Sequence, residues 1–252
     1  MSRPGPRAVG QTDSDGIPLK RIRWQPAWRI VPTRYPTVYI YDRIADPDDF
    51  DALYALEALT NDRLRDEAGV IELVPAEDRI VGPGSGPIMA AFTHLNPDGS
   101  RFSDGRHGVF YAAHDRMTAI AETQYHHARF LTATAQPAMQ LSMRLYAVKV
   151  SATLHDLRPE GVVPAEVYSP DDYSAAQALA RRLRAAGSAG VVYRSVRHAE
   201  GECVGLFRPK GASACVHAAY LLYAWNGQRF TDVFEKIDGE RAVFDPLDRF
   251  SS

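Results

Sequence analysis

Residues 99–123 read GSRFSDGRHGVFYAAHDRMTAIAET. Gly99, Gly105 and Gly108 mark a turn-rich approach. Val109, Phe110 and Tyr111 then read as a short buried strand. Asp115 is placed to cap a helix running to about Leu131, with Met117, Ile120, Ala121, Ala128 and Leu131 on its apolar side. Loop, strand, cap and helix thus follow one another directly, with no helical crossover back to a parallel strand.

The rest of the chain, read outward from this stretch, keeps the same character. Downstream, Met139, Leu141, Met143, Leu145 and Ala147 alternate with the period of a half-buried strand. Ser169-Pro170-Asp171-Asp172 predicts a helix start, with the helix continuing through Ala176, Leu179 and Leu183 to Gly187. Val191 to Tyr193 and Cys203 to Phe207 predict two more strands. Leu221 to Trp225 and Gln228 to Phe230 flank Asn226-Gly227, a hairpin signal. Upstream, Ile88 to Phe92 is apolar and compatible with helix or strand, Gly82 to Pro87 predicts a loop, and Val70 to Val74 a strand. Asp46-Pro47 predicts a helix start followed by the apolar stripe Phe50, Leu53, Tyr54 and Leu56. Val38 to Ile44, with Tyr39 and Tyr41, is β-prone or irregular. Residues 1–20 are polar and read as a mobile tail, 21–237 as one domain with peripheral elements, and 238–252 as a C-terminal tail. Strands dominate, with three or so helices and no regular βαβ alternation, which is an α+β pattern.

Composition narrows the function classes. The chain has 252 residues, 45% of them hydrophobic, and 29 Lys+Arg against 31 Asp+Glu. A formal charge of -2 carries no basic footprint for nucleic acid. Cys203 and Cys215 are too few for a disulfide framework and predict free thiols in a reducing cytosol. Arg3 and Arg7 are followed by no apolar run, and no stretch is long and apolar enough to span a bilayer, so a cytoplasmic protein is expected. There is no GxGxxG after a strand, no Walker A loop, no HExxH and no GxSxG. His126 and His127 are helical neighbours about 100° apart, so they cannot face one metal. The acidic run at 46–49 reads as a helix start. No metal is expected.

Three segments carry candidate chemistry: Gly99 to Ala113, Thr118 to Thr123, and Gly190 to Arg197 followed by Leu206-Phe207-Arg208-Pro209. Glu122 follows Ile120 and Ala121 well inside a largely apolar helix. Taken alone it reads as a solvated face residue, since Glu is a good helix former. A buried carboxylate needs hydrogen-bond donors or a cation, which Arg101, Tyr111 and Ser195 have the chemistry to supply.

In this order, the three segments resemble the RES domain. The resemblance covers roughly residues 24–220. Arg101 stands in the family's Gly-Arg-aromatic position, although Ser100 intervenes after Gly99 and Phe102 replaces the commoner Trp. Tyr111 stands in the Tyr-Ala strand, Glu122 in the Ala-x-x-Glu helix, and Ser195 in Tyr193-Arg194-Ser195-Val196-Arg197. Trp28 to Pro36 resembles the family's opening segment, whose functional Arg is either Arg29 or Arg34. The resemblance implies a bent, split β-core with surrounding helices, similar to diphtheria-toxin-like ADP-ribosyltransferases. It implies a toxin that consumes NAD as substrate, by phosphorolysis or hydrolysis, restrained by an Xre-like antitoxin protein. The alternatives it leaves open are mono-ADP-ribosylation of a cellular protein target and an inactive antitoxin-binding module. A metal-dependent hydrolase is a third rival. It further implies that Glu122 stabilises positive charge at the ribose, Arg101 and Arg29 or Arg34 pair with the pyrophosphate, Tyr111 faces the nicotinamide, and Ser195 holds the ribose or amide.

Overall fold

The longest strand organises the molecule. In a computed structural model that describes residues 12, 16–43, 67–237 and 240–243, Met139–Asp156 forms one strand of 18 residues. Chain order gives β1 (Leu19–Pro32), β2 (Phe110–Ala113), this strand as β3, β4 (Gly190–Arg194), β5 (Glu202–Leu206), β6 (Ala212–Trp225), β7 (Phe230–Ile237) and β8 (Glu240–Val243). Three α-helices are described: α1 (Gly86–Thr93), α2 (Arg116–Ala133) and α3 (Ser174–Ala185).

The strands form one mixed sheet in the order β1-β2-β5-β4-β3-β6-β7-β8, with β1 also pairing β3. On one edge β3 runs antiparallel to β1 from Leu19↔His155 to Pro32↔Met143. Its other edge is shared. Met139 to Val150 pairs antiparallel with β6, and His155 and Asp156 pair parallel with Val191 and Val192 of β4. The sheet splits there and bends until β1 touches β2 at Trp28↔Ala113. This is the bent, split α+β core.

Period-two alternation sends the two sides of the sheet into two cores. Tyr146, Val148, Val150 and Leu154 of β3 pack with Ile88, Met89 and Phe92 of α1 and with Tyr41 and Ile71. Met143 and Leu145 pack on the opposite face with Ile120 of α2 and Leu179 and Leu183 of α3. Asp115 caps α2 as its sequence predicts, accepting from the Thr118 N–H at 2.8 Å. Asn226 shapes the β6–β7 hairpin, its Oδ1 accepting from the N–H groups of Gln228 and Arg229.

Several expectations need correction. Val70 to Val74 is not a strand: Ile71–Leu73 is a turn of 3-10 helix. Ile71 and Val74 are buried while Val70 and Leu73 are exposed, a spacing of three that alternation cannot produce. Gly82 to Pro87 is a loop only to Ser85, because α1 begins at Gly86. α3 begins at Ser174 rather than after Ser169. The carbonyls of Ser169 and Pro170 are taken by Arg101 and Arg197, so this turn is held by tertiary contacts. That helix ends at Ala185 and not at Gly187. The N-terminal tail stops short of residue 20: Ile17 is buried and Leu19 opens β1. The C-terminal tail from 238 contains β8, paired with β7. The helix predicted after Asp46 lies outside the described residues.

The seat of α1 is tight. Gly86 donates its N–H to Asp42 Oδ1 at 2.6 Å, and a Cβ there would fall 1.8 Å from the Val38 carbonyl oxygen. Gly86→Ala must therefore move backbone, at a cost of about 3 kcal/mol, the upper end of ordinary overpacking. The expected outcome is a clear fall in thermal midpoint for Gly86→Ala; an unchanged midpoint would mean that α1 is not seated on Val38.

Candidate active site at the start of helix α2

α2 carries Glu122 one and a half turns in, on the side facing the turn that follows β4. Ser195 opens that turn. Its hydroxyl donates to Glu122 Oε1 at 2.6 Å and accepts from the N–H groups of Arg197 at 3.1 Å and His198 at 3.0 Å. A hydroxyl has one proton and two lone pairs, so Ser195 has no hydrogen-bonding capacity left. In this arrangement it orients Glu122. Of the two Glu122 oxygens, Oε1 is the one that Ser195 engages.

Tyr193 and Cys203, opposite one another on β4 and β5, lie beneath this pair. Burial raises the pKa of both well above its ordinary value, and the Glu122 carboxylate adds to each shift. Arg101 is also within electrostatic reach of both groups. The Phe102 ring packs edge-on against Tyr193 at 5.0 Å. Arg101, Glu122 and Ser195 thus gather round one point of the sheet.

Tyr111 serves the loop. Its hydroxyl accepts from the Phe102 N–H at 2.9 Å and bonds Ser100 Oγ at 2.8 Å, while burial, partly offset by those bonds, pushes its pKa up to about 12. The Ser100–Phe102 turn is pinned to β2, and Gln177 of α3 adds bonds to the carbonyls of Ser100 and Ser103. Arg101 is consequently held, 8% exposed. Its Nη1 donates to the carbonyls of Val167 and Ser169 at 3.0 and 2.9 Å, and its guanidinium stacks over Tyr173 at 4.7 Å. The rest of the fork is what it can offer an anion.

Neither opening-segment arginine joins Glu122. Arg29 stacks over Phe110 at 4.6 Å and donates to the Tyr111 carbonyl at 3.0 Å. Phe110 and Tyr111 are successive on a strand and point to opposite faces, so Arg29 lies on the sheet face away from Glu122. Its Nε is buried without a hydrogen-bond partner, and burial lowers its pKa. Arg34 is exposed and stacks on Tyr35 and Phe130, about two turns along α2 from Glu122.

Arg197, two residues after Ser195, lies against α2. It stacks on Tyr125 at 3.2 Å, donates to the Pro170 carbonyl, and keeps a buried Nε without a partner. Tyr125 in turn donates to Asp171. His126 packs against the Tyr125 and Tyr173 rings. Its pKa falls to about 4, through desolvation first and then Arg197, Arg101 and Arg129. Three guanidinium groups therefore raise the potential one turn from Glu122. Sequence reading missed Arg197, Tyr125 and His126. The signal existed: Arg197 lies in the Ser195 motif, and Tyr125 and His126 follow Glu122 at the spacing that shares a helix face. No group of three or more His, Cys, Asp or Glu among the described residues could hold a metal ion.

The convergence is measurable. In the free protein the His126 ring is expected to stay neutral down to about pH 4, followed by NMR titration. An anion placed beside these arginines would offset them, and the pKa is then expected to rise. Titration of the free ring near its unperturbed value, about 6.5, would mean that the ring is neither desolvated nor within reach of the arginines.

An uncharacterized protein of Sinorhizobium fredii, y4oC, is 29% identical over 211 residues, covering 81% of this chain and 84% of the relative. A crystal structure of the M. tuberculosis MbcT-MbcA toxin-antitoxin complex superposes with a TM-score of 0.40 and 11% identity, over 82% of this chain and 87% of that one. The RES domain family matches residues 77–226. These span β2 to β6 with Arg101, Tyr111, Glu122 and Ser195, more than half of the chain, and the protein belongs to the RES domain family.

Proposed function

We propose that this protein is the toxin of a toxin–antitoxin pair and cleaves the nicotinamide–ribose bond of NAD. The observation that carries the reading is the Glu122–Ser195 bond beside converging arginines, in a chain of the RES family. Breaking a C–N glycosidic bond builds oxocarbenium-like positive charge at the ribose carbon. A carboxylate fixed by a short bond on one oxygen presents the other at constant orientation, where it stabilises that charge or a ribose hydroxyl. Arg197 and the free side of the Arg101 fork suit a pyrophosphate, which favours planar, charge-assisted donors. Nicotinamide departs neutral, and the ribose carbon bonds to phosphate or water, whose proton leaves with the acceptor step. No residue here needs a metal for this chemistry.

No helix among the described residues is long and apolar enough to cross a membrane, and the reading places the enzyme in the cytoplasm. NAD cleavage there requires restraint from outside the chain. An Xre-like antitoxin fits if it presents an acidic or C-terminal segment to the arginines, since buried guanidinium groups need an anion when the dinucleotide is absent.

Incubation of the purified protein with NAD, with and without phosphate, tests the reaction. Free nicotinamide and ADP-ribose, or its phosphate ester, are the expected products. A mass shift on a protein target would redirect the reading to ADP-ribosylation. Glu122→Ala should abolish turnover and relieve growth arrest while circular dichroism stays unchanged; full activity in that variant would remove Glu122 from the chemistry. Arg101→Ala should weaken NAD binding by about 1.5–3 kcal/mol, the worth of a charged hydrogen bond. Calorimetry on the two proteins checks this, and equal affinities would exclude Arg101 from the diphosphate site.

A further inference from the structure

α2 and the turn carrying Ser195 meet at a second point. Thr118 stands four residues before Glu122, on the same helix face, and is fully buried. Its Oγ1 lies 2.6 Å from Asp115 Oδ2 and 2.7 Å from His198 Nδ1. The protons on this chain can be assigned. Burial raises the Asp115 pKa, but bonds from the Thr118 hydroxyl and N–H, with His198 beyond, outweigh it and hold the pKa low. The carboxylate can then only accept. The single Thr118 hydroxyl proton goes to Asp115, so the Thr118 oxygen accepts from His198, whose Nδ1 carries the proton.

The turn is closed around this contact. The Ser195 N–H donates to the Gly201 carbonyl at 2.7 Å, and the Gly201 N–H to the His198 carbonyl at 3.1 Å. A Cβ on Gly201 would fall 2.4 Å from Thr118 Oγ1. Capping α2 requires only the Thr118 N–H, which Asp115 already accepts through its other oxygen. The hydroxyl-to-histidine link is additional to the cap, and it runs parallel to the Glu122–Ser195 bond one helical turn away.

We propose that the Asp115–Thr118–His198 chain clamps the 195–201 turn onto α2, so that Ser195 holds Glu122 at a fixed orientation. Thr118 and His198 are positioning residues. The effect of the clamp on turnover rests on the function proposed above; the clamp itself does not.

Hydrogen exchange and NAD turnover, measured side by side on the full chain, test it. Thr118→Val keeps the shape of the side chain and the cap. It should speed exchange of the Arg197 and His198 amides, which donate to Ser195, and leave β3 unchanged. It should also lower kcat about tenfold, the scale of one lost hydrogen bond, with KM nearly constant. Thr118→Ser restores the hydroxyl and should restore both readouts. His198→Asn offers an N–H near the position of Nδ1 and should retain most of each. Should Thr118→Val fail to fold, His198→Ala leaves α2 and its cap intact and reads the same contact. Unchanged exchange overturns the clamp whether or not NAD is cleaved. Faster exchange with unchanged kcat, in a parent protein that turns over NAD, overturns its bearing on Glu122. A parent protein that leaves NAD intact overturns the proposed function, and the clamp is then judged on exchange.

Discussion

The shared edge of β3 is the constraint on which the rest depends. One edge of that strand is occupied by β1 from Met143 to His155. The other passes from β6 to β4 over the few residues between Val150 and His155. Two partners cannot hold the same edge, so the sheet opens there, and strand twist carries β4, β5 and β2 round until β2 reaches β1. The end of β4, where Ser195 begins its turn, is thereby brought over the first turns of α2. A flat sheet with the same strands would leave Glu122 and Ser195 on separate elements with no reason to meet.

Charge around that meeting point is unequal. Arg101, Arg129 and Arg197 lie within reach of His126. The nearby carboxylate of Asp171 is engaged with Tyr125 and Arg129. Much of the hydrogen bonding in the site is spent internally: Ser195 on Glu122, Tyr111 on the Ser100–Phe102 turn, Thr118 on Asp115. These groups are ordered before any ligand arrives, so binding need not supply the entropy of arranging them. The groups with donors or acceptors to spare, the second oxygen of Glu122 and the remaining guanidinium N–H groups, suit a ligand that is anionic at one end and develops positive charge at the other.

Local chemistry in the chain was enough for much of the fold. Asp115 as cap of α2 and the Asn226-Gly227 hairpin depend on neighbours in sequence, and the structure has both; β3 is a strand as its alternation predicts, but it is buried on both faces through its middle and Met139 is exposed. The misread segments are those where distant partners overrule local preference. Ser169 and Pro170 carry helix-start signals, yet their carbonyls are claimed by arginines far away in the chain. Val70 to Val74 has strand-forming residues, but burial at a spacing of three against α1 makes it a 3-10 turn.

The division for the site follows the same line. The sequence by itself determined the α+β class, the position of Glu122 on a capped helix, and the ordered motifs that mark the RES family, because periodicity, capping and motif order are properties of residues near one another. Only the tertiary structure decided that Ser195 spends its whole hydroxyl on Glu122 and its own turn, that Arg29 lies on the far face of the sheet, and that Arg197 with Tyr125 and His126 faces the site instead. Those outcomes depend on which side of a bent sheet each side chain leaves. That is set by the register and closure of strands well over a hundred residues apart in the chain, a distance across which local sequence carries no signal.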